Sequence, residues 1–180
     1  MRRSSPIVVS AALALSLAGA DSKAEALLQE FAKRRPADIV LQTMDLPMAR
    51  GMAELHSGQS EQAIRSLESV RLYGTLLGGS AVAAVAARFG PLYARGEAYL
   101  KAGKNREAAE QFEQMLKQRM IFPLDPLLTL AHLGLGRAYA AGGNVEQGRT
   151  AYQDFFALTK DADPDIPILQ QARAEYAKLK

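Results

Sequence analysis

Small residues recur along the chain among larger apolar ones at helical spacing, and glycine interrupts the pattern at regular intervals. The clearest stretch reads Leu92-Tyr93-Ala94-Arg95-Gly96-Glu97-Ala98-Tyr99, then Lys101-Ala102-Gly103-Lys104-Asn105, then Glu107-Ala108-Ala109-Glu110-Gln111-Phe112. Similar registers run from Leu133 to Tyr152 and from Ala49 to Ile64, and a weaker one from Ala12 to Leu28. Each predicts two helices joined by a glycine turn, at Gly19, Gly58, Gly103 and Gly143, where a left-handed residue suits a helix end. A small side chain in each first helix (Ala12, Gly51, Gly96, Gly136) lets a partner approach. A second small one faces it (Ala24, Ala63, Ala108, Gly148). Four residues on, a larger residue (Leu28, Leu67, Phe112, Tyr152) fills the space toward the next pair. One pair alone cannot bury its apolar stripe, whereas stacked pairs can, each large side chain contributing roughly 1.5–3 kcal/mol on full burial.

The links complete the plan. Residues 71–90 carry Gly74, Gly78 and Gly79 and then an Ala/Val run, which predicts a loop plus a short extra helix ahead of Pro91. Asp125-Pro126 has the form of an N-cap followed by proline in the first turn, and Asp165-Ile166-Pro167 opens a last helix in a similar way. In that helix Leu169, Ala172, Tyr176 and Leu179 make one apolar stripe, suited to closing the end of a stack. The expected organisation is a single domain over 1–180: pairs at about 7–36, 46–72, 91–120 and 126–160, the insertion at 71–90, and a capping helix over 166–179.

The order small residue, aromatic, Gly, Ala, aromatic, Pro resembles the tetratricopeptide repeat. Gly96, Tyr99, Gly103, Ala108 and Phe112 follow it, as do Gly136, Tyr139, Gly143 and Tyr152. Gly51, Gly58 and Ala63 match it in part, and so do Gly19, Ala24 and Pro36. The turn glycines are spaced by 39, 45 and 40 residues, longer than the repeat's usual length of about 34, with the excess falling in the links. The resemblance implies an all-α, right-handed α-solenoid of about four such helix pairs, working as a non-catalytic scaffold for a protein or peptide. Residues 152–158 with 160–169 also resemble the C-terminal repeat region of bacterial serine/threonine protein kinases and related regulators, a likeness spanning roughly residues 10–180. It implies a detached sensor or interaction region and not a kinase, because the phosphate loop, the His-Arg-Asp catalytic loop and Asp-Phe-Gly are missing from the sequence.

Composition narrows the function classes. The net charge is +3 over 180 residues and is dispersed: residues 1–95 hold 11 basic and 8 acidic side chains, and residues 96–180 hold 11 of each. A nucleic-acid reader concentrates its basic residues on one face. The one basic triplet, Lys33-Arg34-Arg35, falls at a predicted helix end, where cations suit the helix dipole. Cysteine is absent, which removes disulfides, thiolate nucleophiles and Cys-based zinc. Asp161, Asp163 and Asp165 alternate like the start of a calcium loop, but Ile166 and Ala172 stand where its glycine and bidentate Glu belong. They read as a turn. His56 and His132 have no second ligand at metal spacing on their helices. Gly103-Lys104 lacks the rest of a phosphate loop. The expectation is no catalytic residue, no cofactor and no metal.

The N-terminus reads two ways. Met1-Arg2-Arg3, an apolar stretch and Ala18-Gly19-Ala20 fit a secretory signal, which would make the protein periplasmic. The repeat register instead makes this stretch the first helix of the first pair, with Lys23–Arg35 as its partner, and goes with a cytoplasmic protein. At about fifteen residues, the apolar stretch is too short for a stable membrane span.

The remaining candidate is a groove. In such repeats the first helix of each pair lines the concave face, which assigns Met48, Met52, His56, Tyr93, Glu97, Lys101, Leu133 and Arg137 to it. Met suits adaptable surfaces, and aromatics and Arg are enriched among interface anchors. The Lys/Asn set that grips a chaperone's C-terminal carboxylate does not occur at these positions. The expected partner is a protein or peptide, with no nucleic acid.

Overall fold

In the computed structural model the described residues are 7–8, 11–12, 14–15, 19–70, 81–120 and 123–179, with 81–88 described in backbone only. They are all-helical, without strands. Ile7-Val8, Ala11-Ala12 and Ala14-Leu15 are helical and precede α1 (Asp21–Arg34). Then follow α2 (Leu46–His56), α3 (Ser60–Glu68), α4 (Ala81–Lys101), α5 (Asn105–Lys117), α6 (Pro126–Ala141), α7 (Val145–Leu158) and α8 (Pro167–Tyr176). Each helix packs on its sequence neighbour. The first helices of successive pairs also touch directly, α2 with α4 and α4 with α6. Second helices of successive pairs stay further apart, so α2, α4 and α6 lie on the inside of the curve.

The turns explain why the helices stop where they do. Gly19, Gly58, Gly103 and Gly143 have φ between 72 and 84°, and no other described residue has positive φ. After each glycine, the next N–H reaches back five residues to a carbonyl: Ala20 to Leu15, Gln59 to Glu54, Lys104 to Tyr99 and Asn144 to Tyr139, all at 2.8–2.9 Å. This recurring bond satisfies a carbonyl that the helix end would otherwise leave open.

Close packing follows the small-to-large register. A Cβ on Gly51 would fall 2.5 Å from Leu67, one on Gly96 2.5 Å from the Phe112 ring, and one on Gly136 2.8 Å from Tyr152. The first pair keeps the logic with alanine: Val8, Ala12, Ala24, Leu28, Ala32 and Leu41 form one buried cluster. Phe112 is held from two sides, since a Cβ on Gly134 of α6 would also meet its ring. The ring therefore ties the third pair to the fourth.

Three local features differ from the expectation or go beyond it. The insertion does not end in a separate helix before Pro91: α4 runs unbroken from Ala81 to Lys101 with Pro91 inside. Proline removes one backbone donor. Beyond it, Leu92, Ala94, Arg95 and Ala98 are buried, and that burial holds the helix together. Residues 71–80 of the expected loop lie outside the described residues. The entry to α2 is a π-helical turn, Leu41–Asp45, with Leu41 buried at its start. Asp125 caps α6 as expected, its Oδ1 accepting from the Leu127 N–H at 2.9 Å, whereas α8 starts at Ile166-Pro167 without a side-chain cap.

A second periodic feature ties the pairs together. In the second, third and fourth pairs the residue after the large second-helix side chain bonds to a tyrosine on the helix that follows in the stack. Tyr99 donates to Glu68 at 2.9 Å and Tyr139 to Glu113 at 2.6 Å, and Gln153 donates to the Tyr176 hydroxyl of α8 at 3.0 Å. Burial, together with these carboxylates, pushes the Tyr99 and Tyr139 hydroxyls up to about 12. In α2 the equivalent place holds Glu54 instead of tyrosine, and its Oε2 is buried with no hydrogen-bond partner among the described residues.

Candidate functional site

The inner face is built from residues four apart on each first helix, which fall on one side of it. On α2, Met48 and Met52 are partly buried against Leu55, Ala63, Leu67, Ala94 and Ala98. They join α2 to α4, and the Met48 methyl lies near Gly90. His56, one turn further on, is exposed. Its Nδ1 lies 3.0 Å from Asp21 at the start of α1.

On α4, Tyr93 packs edge-on to Phe112 with ring centres 5.9 Å apart, and its hydroxyl lies near the Glu97 carboxyl one turn on. Lys101 does not point freely into the groove: its ammonium donates to the Leu55 carbonyl at 3.2 Å, in the last turn of α2. On α6, Arg137 makes a bidentate pair with Glu175 of α8, at 2.8 and 3.1 Å. Tyr152 also donates to Glu175, at 2.9 Å.

Leu133 is corrected. The sequence register assigns it to the groove, but it is 1% exposed, in a cluster with Tyr152, Phe155, Leu169 and Ala172. The cause is α8, whose Leu169 and Ala172 cover this end of the stack. What the register predicts as a displayed position is sealed by the capping helix, and Arg137 is clasped by the same helix.

The electrostatics centre on Glu97. Burial raises its carboxyl, and the nearby charges of Arg137 and Lys101 only partly offset that, with Glu175 opposing them. Its Oε1 is shut off from solvent and has no hydrogen-bond partner among the described residues. Glu175 behaves in the opposite way. Burial alone would raise it, but the bonds from Arg137 and Tyr152 outweigh this and hold it below the usual carboxylate range. The two carboxylates nearest Arg137 thus differ sharply: one is satisfied and the other is not.

Away from this face, an open cleft of about 770 Å³ lies between α1 and α2, lined by Asp21, Glu25, Arg50, Glu54 and His56 among others. It opens beside Glu54, the position where the third and fourth pairs carry tyrosine. Among the described residues, no group of three His, Asp or Glu side chains stands close enough to hold a metal. Asp163 and Asp165 form a turn, the Asp165 N–H bonding to Asp163 Oδ1 at 3.0 Å. His132 packs near Asp154 at 3.6 Å. No helix of the described residues is long and apolar enough to cross a membrane. Sequence reasoning missed Glu175 as the partner of Arg137, and with it Tyr152 and Gln171, which also donate to that carboxylate. Nothing in local spacing links Arg137 to a carboxylate on α8, 38 residues later.

The helix pairs, their glycine turns and the small-to-large packing have the form of a stack of tetratricopeptide-like repeats. Residues 93–164 match the family model described as tetratricopeptide repeat. The whole fold is similar to a crystal structure of nearly identical TPR-like repeats from Podosopora anserina, of a protein described as a kinesin light chain. The TM-score is 0.65 at 18% identity, covering 99% of this chain and 87% of the other. At that identity the likeness is one of fold. No curated protein matches the sequence. The narrower likeness to kinase-borne repeat regions has no counterpart in either match.

Proposed function

We propose that the protein is a non-catalytic scaffold that holds a peptide or helix of a partner protein along the inner face formed by α2, α4 and α6. Arrays of this repeat are in general protein-interaction scaffolds. The observation that carries the reading is the run of adaptable and aromatic side chains, Met48, Met52 and Tyr93, along helices that touch one another across pairs. Methionine conforms to varied apolar surfaces, and tyrosine gives contact area at low entropic cost. Within this reading the usable surface ends near Glu97 and Lys101, because α8 occupies the stretch beyond.

The test is affinity capture from the native host with the full chain and with the double variant Met52→Glu, Tyr93→Ala. Both positions are only partly buried, and thermal melts check that the variant folds. A partner retained by wild type and lost by the folded variant supports the groove. A variant that keeps every partner overturns it. Compartment follows separately: a cytoplasmic protein retains residues 7–36 as its first pair. N-terminal sequencing of the mature chain decides, a start at Asp21 meaning export.

A further inference from the structure

We infer that the partner segment presents a lysine or arginine to Glu97, with apolar residues beside it that lie on Met52 and Tyr93. This rests on the groove reading and adds the chemistry of what the groove takes.

The argument starts from unmet hydrogen bonding. A buried carboxyl oxygen without a donor is costly, and native structures seldom keep one without a reason. Glu97 Oε1 is in that state. The two nearest cations of the described chain, Arg137 and Lys101, place their hydrogen bonds on other acceptors. Arg137 turns both its Nε and Nη2 donors to Glu175. The Lys101 ammonium is bonded to the Leu55 carbonyl. The Tyr93 hydroxyl lies near the same carboxyl but leaves Oε1 without a bond. Glu97 Oε1 is therefore short of one donor, and burial of the carboxyl outweighs the positive charges already near it.

Its surroundings select among donors. Tyr93 lies one turn before Glu97 on α4, and its ring is fixed by Phe112. A long side chain lying along that ring keeps its methylenes on the aromatic face and brings its cationic head to the carboxylate. A serine or a backbone N–H offers the hydrogen bond but not the charge. An acidic residue would meet both Glu97 and Glu175. Reaching Oε1 needs a rotamer change at Glu97, a side-chain adjustment common at interfaces. It requires no breakage of the Arg137–Glu175 pair.

A random 12-residue peptide library displayed on phage, panned on the full chain, tests this. Enriched peptides are synthesised and titrated against wild type, Glu97→Gln, Tyr93→Ala and Met52→Glu. The expected result is a shared Lys or Arg flanked by apolar residues, with affinity falling tenfold or more in Glu97→Gln. Replacing that basic residue by norleucine should cost wild type a similar factor and cost Glu97→Gln little. Peptides that depend on Tyr93 and Met52 but bind Glu97→Gln within twofold would overturn this inference and leave the groove standing. Peptides indifferent to all three positions, or no enrichment, would count against the groove itself. A second arm needs no ligand: Glu97→Gln should melt no lower than wild type, because no internal bond to Oε1 is lost. A clear drop in its melting temperature would reveal an internal donor and sink the idea.

Discussion

Replacing Gly96 by alanine puts the packing logic to its most direct test. In an exposed helix interior the change stabilises by about 1 kcal/mol, because glycine loses more backbone entropy on folding. Here the new methyl would sit 2.5–3.0 Å from three atoms of the Phe112 ring. The ring cannot retreat toward α6, because Gly134 already abuts its other side. Overpacking of this kind costs about 1–3 kcal/mol, and a ring pinned from two directions belongs at the upper end. Subtracting the propensity gain leaves a net loss of about 1–2 kcal/mol. For a chain of this size that lowers the melting temperature by about 2–8 °C, read by circular dichroism with urea titration as a second measure. Phe112→Leu makes room, so the double variant should be more stable than the two single effects predict, with a coupling of about 1 kcal/mol or more. Gly51→Ala should cost less, since it meets a leucine side chain, Leu67, that can rotate. A Gly96→Ala protein as stable as wild type, or more stable, would refute the claim that these helices touch through glycine.

Tyr139→Phe should cost about 1–2 kcal/mol by removing the hydroxyl bond to Glu113, and should let the Glu113 pKa rise from its lowered value, measurable by NMR titration. Glu175→Gln should weaken the hold on Arg137 and speed amide exchange across α8 (Pro167–Tyr176) while leaving α4 and α5 protected. Unchanged exchange would mean that apolar burial of Leu169 and Ala172 alone keeps the helix in place. Asp45 gives a pH signature. Burial, with Asp38 nearby, raises its pKa from 3.8 to about 6. The folded form therefore binds this proton more tightly than the unfolded chain, so its contribution is full below about 4 and is lost as pH rises through about 6. The span is worth up to about 3 kcal/mol, and Asp45→Asn should flatten that stretch of the stability curve. Glu175, held low, works with the opposite sign: its contribution is present above the unfolded carboxylate range and fades as pH falls through its lowered value.

The sequence by itself determined the helix pairs, the four left-handed glycines, the Asp125 cap and the match of small to large residues from Gly51 to Tyr152. These depend on contacts within one pair, where spacing along the chain fixes spacing in space. The tertiary structure alone decided which inner-face residues are free. Leu133 and Arg137 occupy the same register as Tyr93 and Glu97, yet α8 buries the first and binds the second. Lys101 is taken by a carbonyl 46 residues away, and Glu97 is left with an unmet oxygen. Such partners come from separate pairs, and the stacking that brings those pairs together is a sum of many weak packing terms that no local pattern records. For the same reason α4 continues through Pro91: the proline signal is local and costs one hydrogen bond, whereas the burial that overrides it is set by α3 and α5.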